Sequence, residues 1–247
     1  MAWCERTVET MAAVTFTGAR DIVELELERD TVDITATNSP LEQLAAHAVA
    51  HQPGKRALDI AIAVPLLMAA LPVLLLVAIA IKLTDGGPVL FRQRRVGLGG
   101  HSFDIYKFRS MTVDAEDRRS DVAGFDVTDG LLFRVADDPR VTWIGKIIRR
   151  TGIDELPQLV NILAGDMSVV GPRPLAVALD DFDPIERLRH CVMPGLTGLW
   201  QVSGGNALAY DEMIELDLTY AQRWSIVGDL RIVARTVPAM IGRIGPS

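Results

Sequence analysis

From Ile60 to Ile81 the chain runs 22 residues without a charge. An apolar run of 18 residues or more predicts a membrane helix. Lys55 and Arg56 precede it, Lys82 follows it, and Pro65 and Pro72 interrupt it. Pro72 lies near the middle, where it removes a backbone hydrogen bond and favours a kink that turns the helix back to the side it entered. A plain spanning helix is the alternative, since such helices tolerate proline. Downstream, Thr84 to Pro88 predicts a turn. Val89–Phe91 and Phe103–Phe108 predict strands around the Gly97-Leu98-Gly99-Gly100 bend. This bend lacks the GxGxxG spacing and a following helix, so it predicts a hairpin and not a nucleotide loop. Residues 112–130 mix charges as a surface segment does. Val141–Ile148 and Leu156–Leu163 predict amphipathic helices. Leu230–Ile244 predicts another, with Arg231, Arg235 and Arg243 among apolar residues, suited to a core or to a membrane interface. Upstream of the apolar run, Val23–Ile34 predicts two short strands and Leu41–Ala50 a short helix. Pro53-Gly54 predicts a break.

Composition sharpens this picture in three ways. Hydrophobic residues make up 49% of the 247, and the mean hydropathy is +0.23, which favours the membrane reading of residues 60–81. The net charge of −7 is local: residues 1–54 hold three basic and nine acidic side chains, and the rest holds 22 basic against 23 acidic. Residues 1–54 therefore predict an acidic extension without chemistry of its own. No basic stripe interleaved with aromatics suggests nucleic acid. The two cysteines, Cys4 and Cys191, form neither a CxxC nor a metal-ligand spacing, so neither a structural zinc nor a disulfide framework is expected, in keeping with a reducing compartment. The long apolar run begins too late for a cleaved signal peptide.

Four segments carry candidate chemistry. Asp154-Glu155 stands at a predicted helix start, just after Arg149-Arg150. Such a pair is ordinarily solvated or favours the helix dipole. Next to arginines it also fits phosphate chemistry, since an ionised carboxylate can attack phosphorus or help to hold a hard cation. Gly171-Pro172-Arg173-Pro174 restrains one arginine between two prolines, as a stiff loop or as a rigid phosphate ligand. Lys107-Phe108-Arg109 sets two cations on one strand face with Phe108 opposite. Pro194–Asn206 is rich in glycine and small polar residues, as a loop close to a ligand would be. Tyr210, Tyr220, Trp224 and Ser225 follow at helix-like intervals and are expected as core and interface residues rather than a binding box.

Taken together, seven ordered stretches resemble the bacterial sugar transferase family, the monotopic phosphoglycosyl transferases that start glycan assembly on polyprenyl phosphate. They are Lys55-Arg56-x-x-Asp59, the apolar run with Pro72, Lys107-Phe-Arg-Ser-Met, Asp138-Pro-Arg, Ile153-Asp-Glu-Leu-Pro-Gln, Gly165-Asp-Met-Ser-Val-Val-Gly-Pro-Arg-Pro, and Pro194-Gly-Leu-Thr-Gly-Leu-Trp-Gln-Val-Ser-Gly. The likeness covers residues 55 to about 244.

The resemblance implies a mostly helical α/β fold: a single catalytic domain at residues 83–247, a re-entrant membrane helix at 55–82 and amphipathic interfacial helices. It implies transfer of a sugar-1-phosphate from a UDP-sugar to polyprenyl phosphate, such as undecaprenyl phosphate, with release of UMP, as the first membrane step of exopolysaccharide or glycoconjugate synthesis. Asp154 matches the nucleophile that forms an aspartyl phosphosugar. Glu155 matches a second acid that handles metal or protons, and Mg²⁺ is the implied cofactor, held by Asp154 and Glu155. Arg149, Arg173, Lys107 and Arg109 match phosphate-binding positions. Lys55, Arg56 and Asp59 match the base of the membrane helix, and Pro72 its break. The implied location is the inner membrane, with the active site on its cytoplasmic face. A homodimer is compatible with this reading. The family's frequent Ser-Pro is Leu71-Pro72 here, and its usual Gly-Arg-Asn is Gly204-Gly205-Asn206. The missing arginine supports an alternative, a non-catalytic member that binds lipid or a partner. A spanning anchor carrying an interaction module is a second alternative. The Leu199-Trp-Gln-Val-Ser203 stretch leans towards a hexose.

Overall fold

The computed structural model describes residues 53–118, 120–125, 135 and 137–244. The strands and helix expected within residues 1–52 lie outside these residues. The apolar run forms α1, a single helix over Pro53–Asp85. Pro53-Gly54 is thus the first turn of the helix and not a break before it. Proline is well tolerated there because its missing N–H has no intrahelical partner to lose. Gly54–Thr84 is long and apolar enough to cross a membrane, and only 11% of its most apolar stretch is buried.

The residues that α1 does bury recur every three or four positions and face one globular unit. Ala63 packs with Ile105, Leu159, Ile162 and Met167. Eighteen residues on, Ile81 packs with Phe108, Ile144 and Ile148. Both ends of the helix thus lie against the same domain. Its first turns are fastened by polar contacts as well. Lys55 Nζ donates to Asp229 Oδ2 at 2.5 Å and to the Val170 carbonyl at 2.9 Å. Arg56 donates to the carbonyls of Ile162 and Leu163 at 2.5 and 2.8 Å. Asp59 Oδ1 accepts from Ser168 Oγ and from the Val169 N–H at 2.8 and 2.9 Å.

The expected hairpin is present, with its first strand longer than the apolar pattern suggested. Strands β1 (Leu90–Val96) and β2 (Ser102–Phe108) pair antiparallel. Helices α2 (Trp143–Thr151) and α3 (Gln158–Ala164) follow as expected. Asn161 docks α3 on β2: its Oδ1 accepts from the Tyr106 N–H at 3.0 Å, and its Nδ2 donates to the Asp104 carbonyl at 2.8 Å.

A second sheet pairs β3 (Ser168–Val170) with β4 (Gly195–Thr197) in parallel. Pro194–Asn206, expected as a loop beside a ligand, is instead β4, the short helix α4 (Leu199–Ser203) and one 3₁₀ turn. Backbone crowding accounts for the glycines of this sheet. A Cβ on Gly171 would strike the Met193 carbonyl oxygen, and one on Gly195 would strike Gly171.

Helices α5 (Tyr210–Gln222) and α6 (Ile226–Ile244) close the core. Tyr220 and Trp224 are core residues as expected, and both donate to Asp229, at 2.9 and 3.1 Å. Helix α6 buries Asp229 and Ile232 while exposing Ile226, Val227, Leu230 and Val237. Cys191 is buried and disulfide-bonded. The fold is mostly helical with two small sheets, compatible with the expected α/β class.

Candidate active site

The Thr142 hydroxyl starts α2 by accepting the Gly145 N–H at 3.0 Å. Gly152 ends the helix at φ 70°, a left-handed conformation that glycine adopts at little cost. This reversal sends the chain into a 3₁₀ turn, Ile153–Glu155, before Pro157 opens α3. Asp154 and Glu155 therefore sit on a tight turn between two helices, beside the Lys107 end of β2 and the loop that follows β3.

The two acids have opposite surroundings. Glu155 is held by cations on both oxygens. Arg173 grips it in a two-point pair, with Nη1 on Oε2 at 2.9 Å and Nη2 on Oε1. Lys107 Nζ reaches Oε1 at 3.1 Å. Burial opposes the ionisation of Glu155, but the charges and hydrogen bonds of Arg173 and Lys107 outweigh it and hold the carboxyl well below its usual range. Asp154 has no hydrogen bond or ion pair to another side chain among the described residues. Burial, with the Glu155 charge beside it, pushes its carboxyl up to about 6, against the pull of Lys107, Arg149 and Arg173. One acid is thus a fixed, ionised holder of cations. Its neighbour is a poised carboxylate without a partner.

Three of the four expected phosphate-binding cations converge here. Lys107 and Arg173 act on both acids. Arg149 acts on Asp154, and its Nε donates to Ser110 Oγ at 2.7 Å, so the Lys107–Met111 segment orients it. Arg109 is not brought to this cluster. It is buried against Gly87 and Val113, where it leaves no room for a side chain at Gly87. Arg173 is braced from behind: the fully buried Arg189 donates to its carbonyl at 2.7 Å and to Asp217 Oδ2 at 2.5 Å. Asp138-Pro-Arg forms a closed ion pair, Arg140 to Asp138 at 2.7 Å, whose charge reaches Arg149. Lys55, Arg56 and Asp59 fasten α1, as described above, rather than face the acids.

One cation escaped the sequence reading. Arg95 lies on the same face of the hairpin as Lys107 and within electrostatic reach of Glu155 and Arg173. Alternation along β1 puts Phe91, Gln93 and Arg95 on one face, and the pairing of Phe91 with Lys107 makes it the Lys107 face.

Among the described residues no group of three or more His, Cys, Asp or Glu gathers as a metal site. Mg²⁺ is commonly held by one or two carboxylates together with substrate phosphates. Asp154 has oxygens to contribute to such a site, whereas both Glu155 oxygens are taken by Arg173 and Lys107. The residues fit a cation shared between Asp154 and a phosphate.

Asp154, within electrostatic reach of Lys107, Arg149 and Arg173, stands in a chain whose α1 is long and apolar enough to cross a membrane. The chain belongs to the bacterial sugar transferase family, whose model matches residues 50–243. It is 47% identical over 196 residues to a UDP-glucose:undecaprenyl-phosphate glucose-1-phosphate transferase of Caulobacter vibrioides, covering 76% of this chain and 69% of that protein. It is 40% identical over 193 residues to the exopolysaccharide production protein ExoY of Sinorhizobium fredii, covering 75% of this chain and 84% of that protein. It is 47% identical over 159 residues to the galactosyl transferase CpsE of Streptococcus agalactiae, covering 64% of this chain but 35% of that protein.

Proposed function

We propose that the chain transfers a sugar-1-phosphate from a UDP-sugar to polyprenyl phosphate through a covalent intermediate on Asp154. The observation that carries this reading is the division of labour between the two acids: Glu155 is spent on Arg173 and Lys107, while Asp154 is left without a partner among cations. An Asp154 oxygen attacks the phosphorus that bears the sugar. The bond from that phosphorus to the oxygen bridging to UMP breaks, and UMP leaves with the electron pair. A phosphate oxygen of the lipid then attacks the aspartyl phosphosugar and restores the Asp154 carboxylate. Lys107, Arg149 and Arg173 offset the negative charge that builds up in both steps. Asp154 would hold Mg²⁺ together with substrate phosphate, and the ion would supply further charge neutralisation. The name of the Caulobacter relative supports this substrate class, and that of the Sinorhizobium relative supports a role in exopolysaccharide production.

The same reading makes residues 83–247 the catalytic domain and α1 a re-entrant helix at the cytoplasmic face of the inner membrane. Support comes from the packing of α1. Ala63 and Ile81 are both buried against one domain. A helix that spans a bilayer carries its two ends to opposite sides of about 30 Å of hydrocarbon. One polar globular unit cannot cover both ends of such a helix.

The test is a panel of UDP-sugars with polyprenyl phosphate and Mg²⁺, with UMP as the readout. Release of UMP from at least one donor, dependent on Asp154, is the expected result. A folded chain that releases none from any donor points instead to a non-catalytic member of the family.

A further inference from the structure

Arg95 is a cation with no evident structural purpose. In the hairpin register Phe91 faces Lys107, Gln93 faces Ile105 and Arg95 faces Phe103. Directly paired residues share a face, so Arg95 and Lys107 stand on the one that buries Ile105 and looks towards the Asp154-Glu155 turn. The opposite face is spent on the surface, where Arg94 pairs with Asp104 at 3.6 Å and Arg92 stacks 5.4 Å from the Tyr106 ring centre. Among the described residues Arg95 makes no ion pair. Its Nη2 donates to Gln93 Oε1 at 2.5 Å, a neutral partner two residues away, and its Nε is buried without a partner. A buried donor without an acceptor is costly.

The charges around Arg95 add to the anomaly. Arg95, Lys107, Arg149 and Arg173 gather about the two carboxylates, Arg95 at the Glu155 end. Four cations against two anions is an arrangement that lacks negative charge. Arg95 acts on Glu155, while Arg149 acts on Asp154, so the cluster has two ends bridged by Lys107 and Arg173. Burial and the neighbouring Arg173 draw the Arg95 guanidinium down to about 10. An anion at that end would remove both the charge imbalance and the orphaned donor.

We propose that Arg95 is a phosphate-binding residue, which holds a substrate phosphate at the Glu155 end of the site, away from the phosphorus that Asp154 attacks. The proposal rests on the transferase reading for the identity of its ligands. A guanidinium is suited to this, because its planar fork can present two donors to one phosphate. Gln93 holds the fork in the free protein and hands it over when the anion arrives. Two phosphates meet the description: the one that leaves in UMP, and that of the lipid carrier.

The experiment uses the full chain in nanodiscs, with UMP and polyprenyl phosphate as separate probes and uridine as the phosphate-free control. Arg95→Gln removes the charge and the fork. The expected result is a Kd raised on the order of 10- to 100-fold, the value of a charged hydrogen bond, for one of the two probes, at an unchanged melting temperature. A loss confined to UMP assigns Arg95 to the nucleotide phosphate. A loss confined to polyprenyl phosphate assigns it to the carrier. Weaker binding of both makes it a shared ligand. Dissociation constants for both probes within twofold of the wild type overturn the proposal. Should Arg95→Gln fail to fold, Arg95→Lys keeps the charge and loses the fork. It is expected to bind one probe several-fold more weakly, and wild-type binding of both overturns the proposal. Wild-type binding of UMP without UMP release from any UDP-sugar would count against the transferase reading and leave the role of Arg95 standing.

Discussion

Asp154 owes its character to a neighbour with the same charge. Burial and the Glu155 carboxylate together lift it to about 6. Only the ionised form attacks phosphorus, so labelling of the protein by a UDP-sugar without lipid acceptor should be constant at neutral pH and fall about tenfold per pH unit below about 6. Asp154→Asn should abolish labelling and UMP release with the fold retained; substantial activity in that variant would refute the covalent route. Glu155→Gln removes one of the charges that raise Asp154 and leaves Lys107 and Arg173 to act on it unopposed. The acid limb of the pH profile should therefore move to lower pH, while the rate falls because Arg173 loses its anchor. A limb that stays in place would mean that Glu155 does not set the Asp154 environment. At this scale the sequence was informative about residue type and not about posture. Asp154, Glu155, Arg149, Arg173 and Lys107 stood out in their motifs, but Arg109 was grouped with them because it neighbours Lys107 in sequence. The chain leaves β2 at Phe108, and Arg109 turns to pack against Gly87 and Val113. Arg95 was passed over because its placement is a matter of register, which becomes visible only when β1 meets β2.

Among the elements, the loop after β3 depends most on distant support. Arg173 is fixed at its carboxylate end by Glu155 and at its carbonyl by Arg189, which is itself paired with Asp217 on α5. Removing one partner of a buried ion pair leaves the other charge uncompensated. Asp217→Ala should thus cost about 3–5 kcal/mol in stability, measured by thermal unfolding. Gly171→Ala would press a methyl group onto the Met193 carbonyl. Strain of this kind typically costs about 1–3 kcal/mol. Because Arg173 lies two residues on, UMP release should fall by more than the stability loss explains; an unchanged rate would show that the loop does not need this close approach. The hairpin and helices α1, α2, α3 and α6 were readable from local pattern, because each writes its own. Strands β3 and β4 were not. Each has three residues, and they pair in parallel across an intervening segment. So short a strand carries no alternation to detect, and its partner lies far away in sequence. Gly195 and Gly198 of Pro194–Asn206 coincide with tight backbone packing against Gly171.

Over the whole molecule the open question posed by the sequence is the course of the apolar run, and topology experiments decide it. In a chain whose Cys4 and Cys191 are replaced by alanine, Ala50→Cys and Leu83→Cys should both resist a membrane-impermeant thiol reagent on intact cells. Labelling at 83 with protection at 50 would instead favour a spanning helix. Pro72→Ala restores a backbone hydrogen bond and should shift the chain towards that labelled state. Chelation by EDTA should abolish UMP release and added Mg²⁺ restore it, since transfer brings several negative charges together.

The fastening of α1 has a further meaning. Lys55, Arg56 and Asp59 join its first turns to β3, α3 and α6, while Ile81 joins its far end to α2 and β2. On the proposed reading, the domain is built around its anchor and does not hang from it. A tethered domain drifts up and down above a bilayer and meets lipid head groups at many heights, whereas a domain whose core contains its own anchor rides at a single altitude. If that reading holds, the search for a carrier phosphate is a planar one, governed by how fast lipids glide past a stationary edge, and a thinner or thicker bilayer would retune it as surely as a mutation.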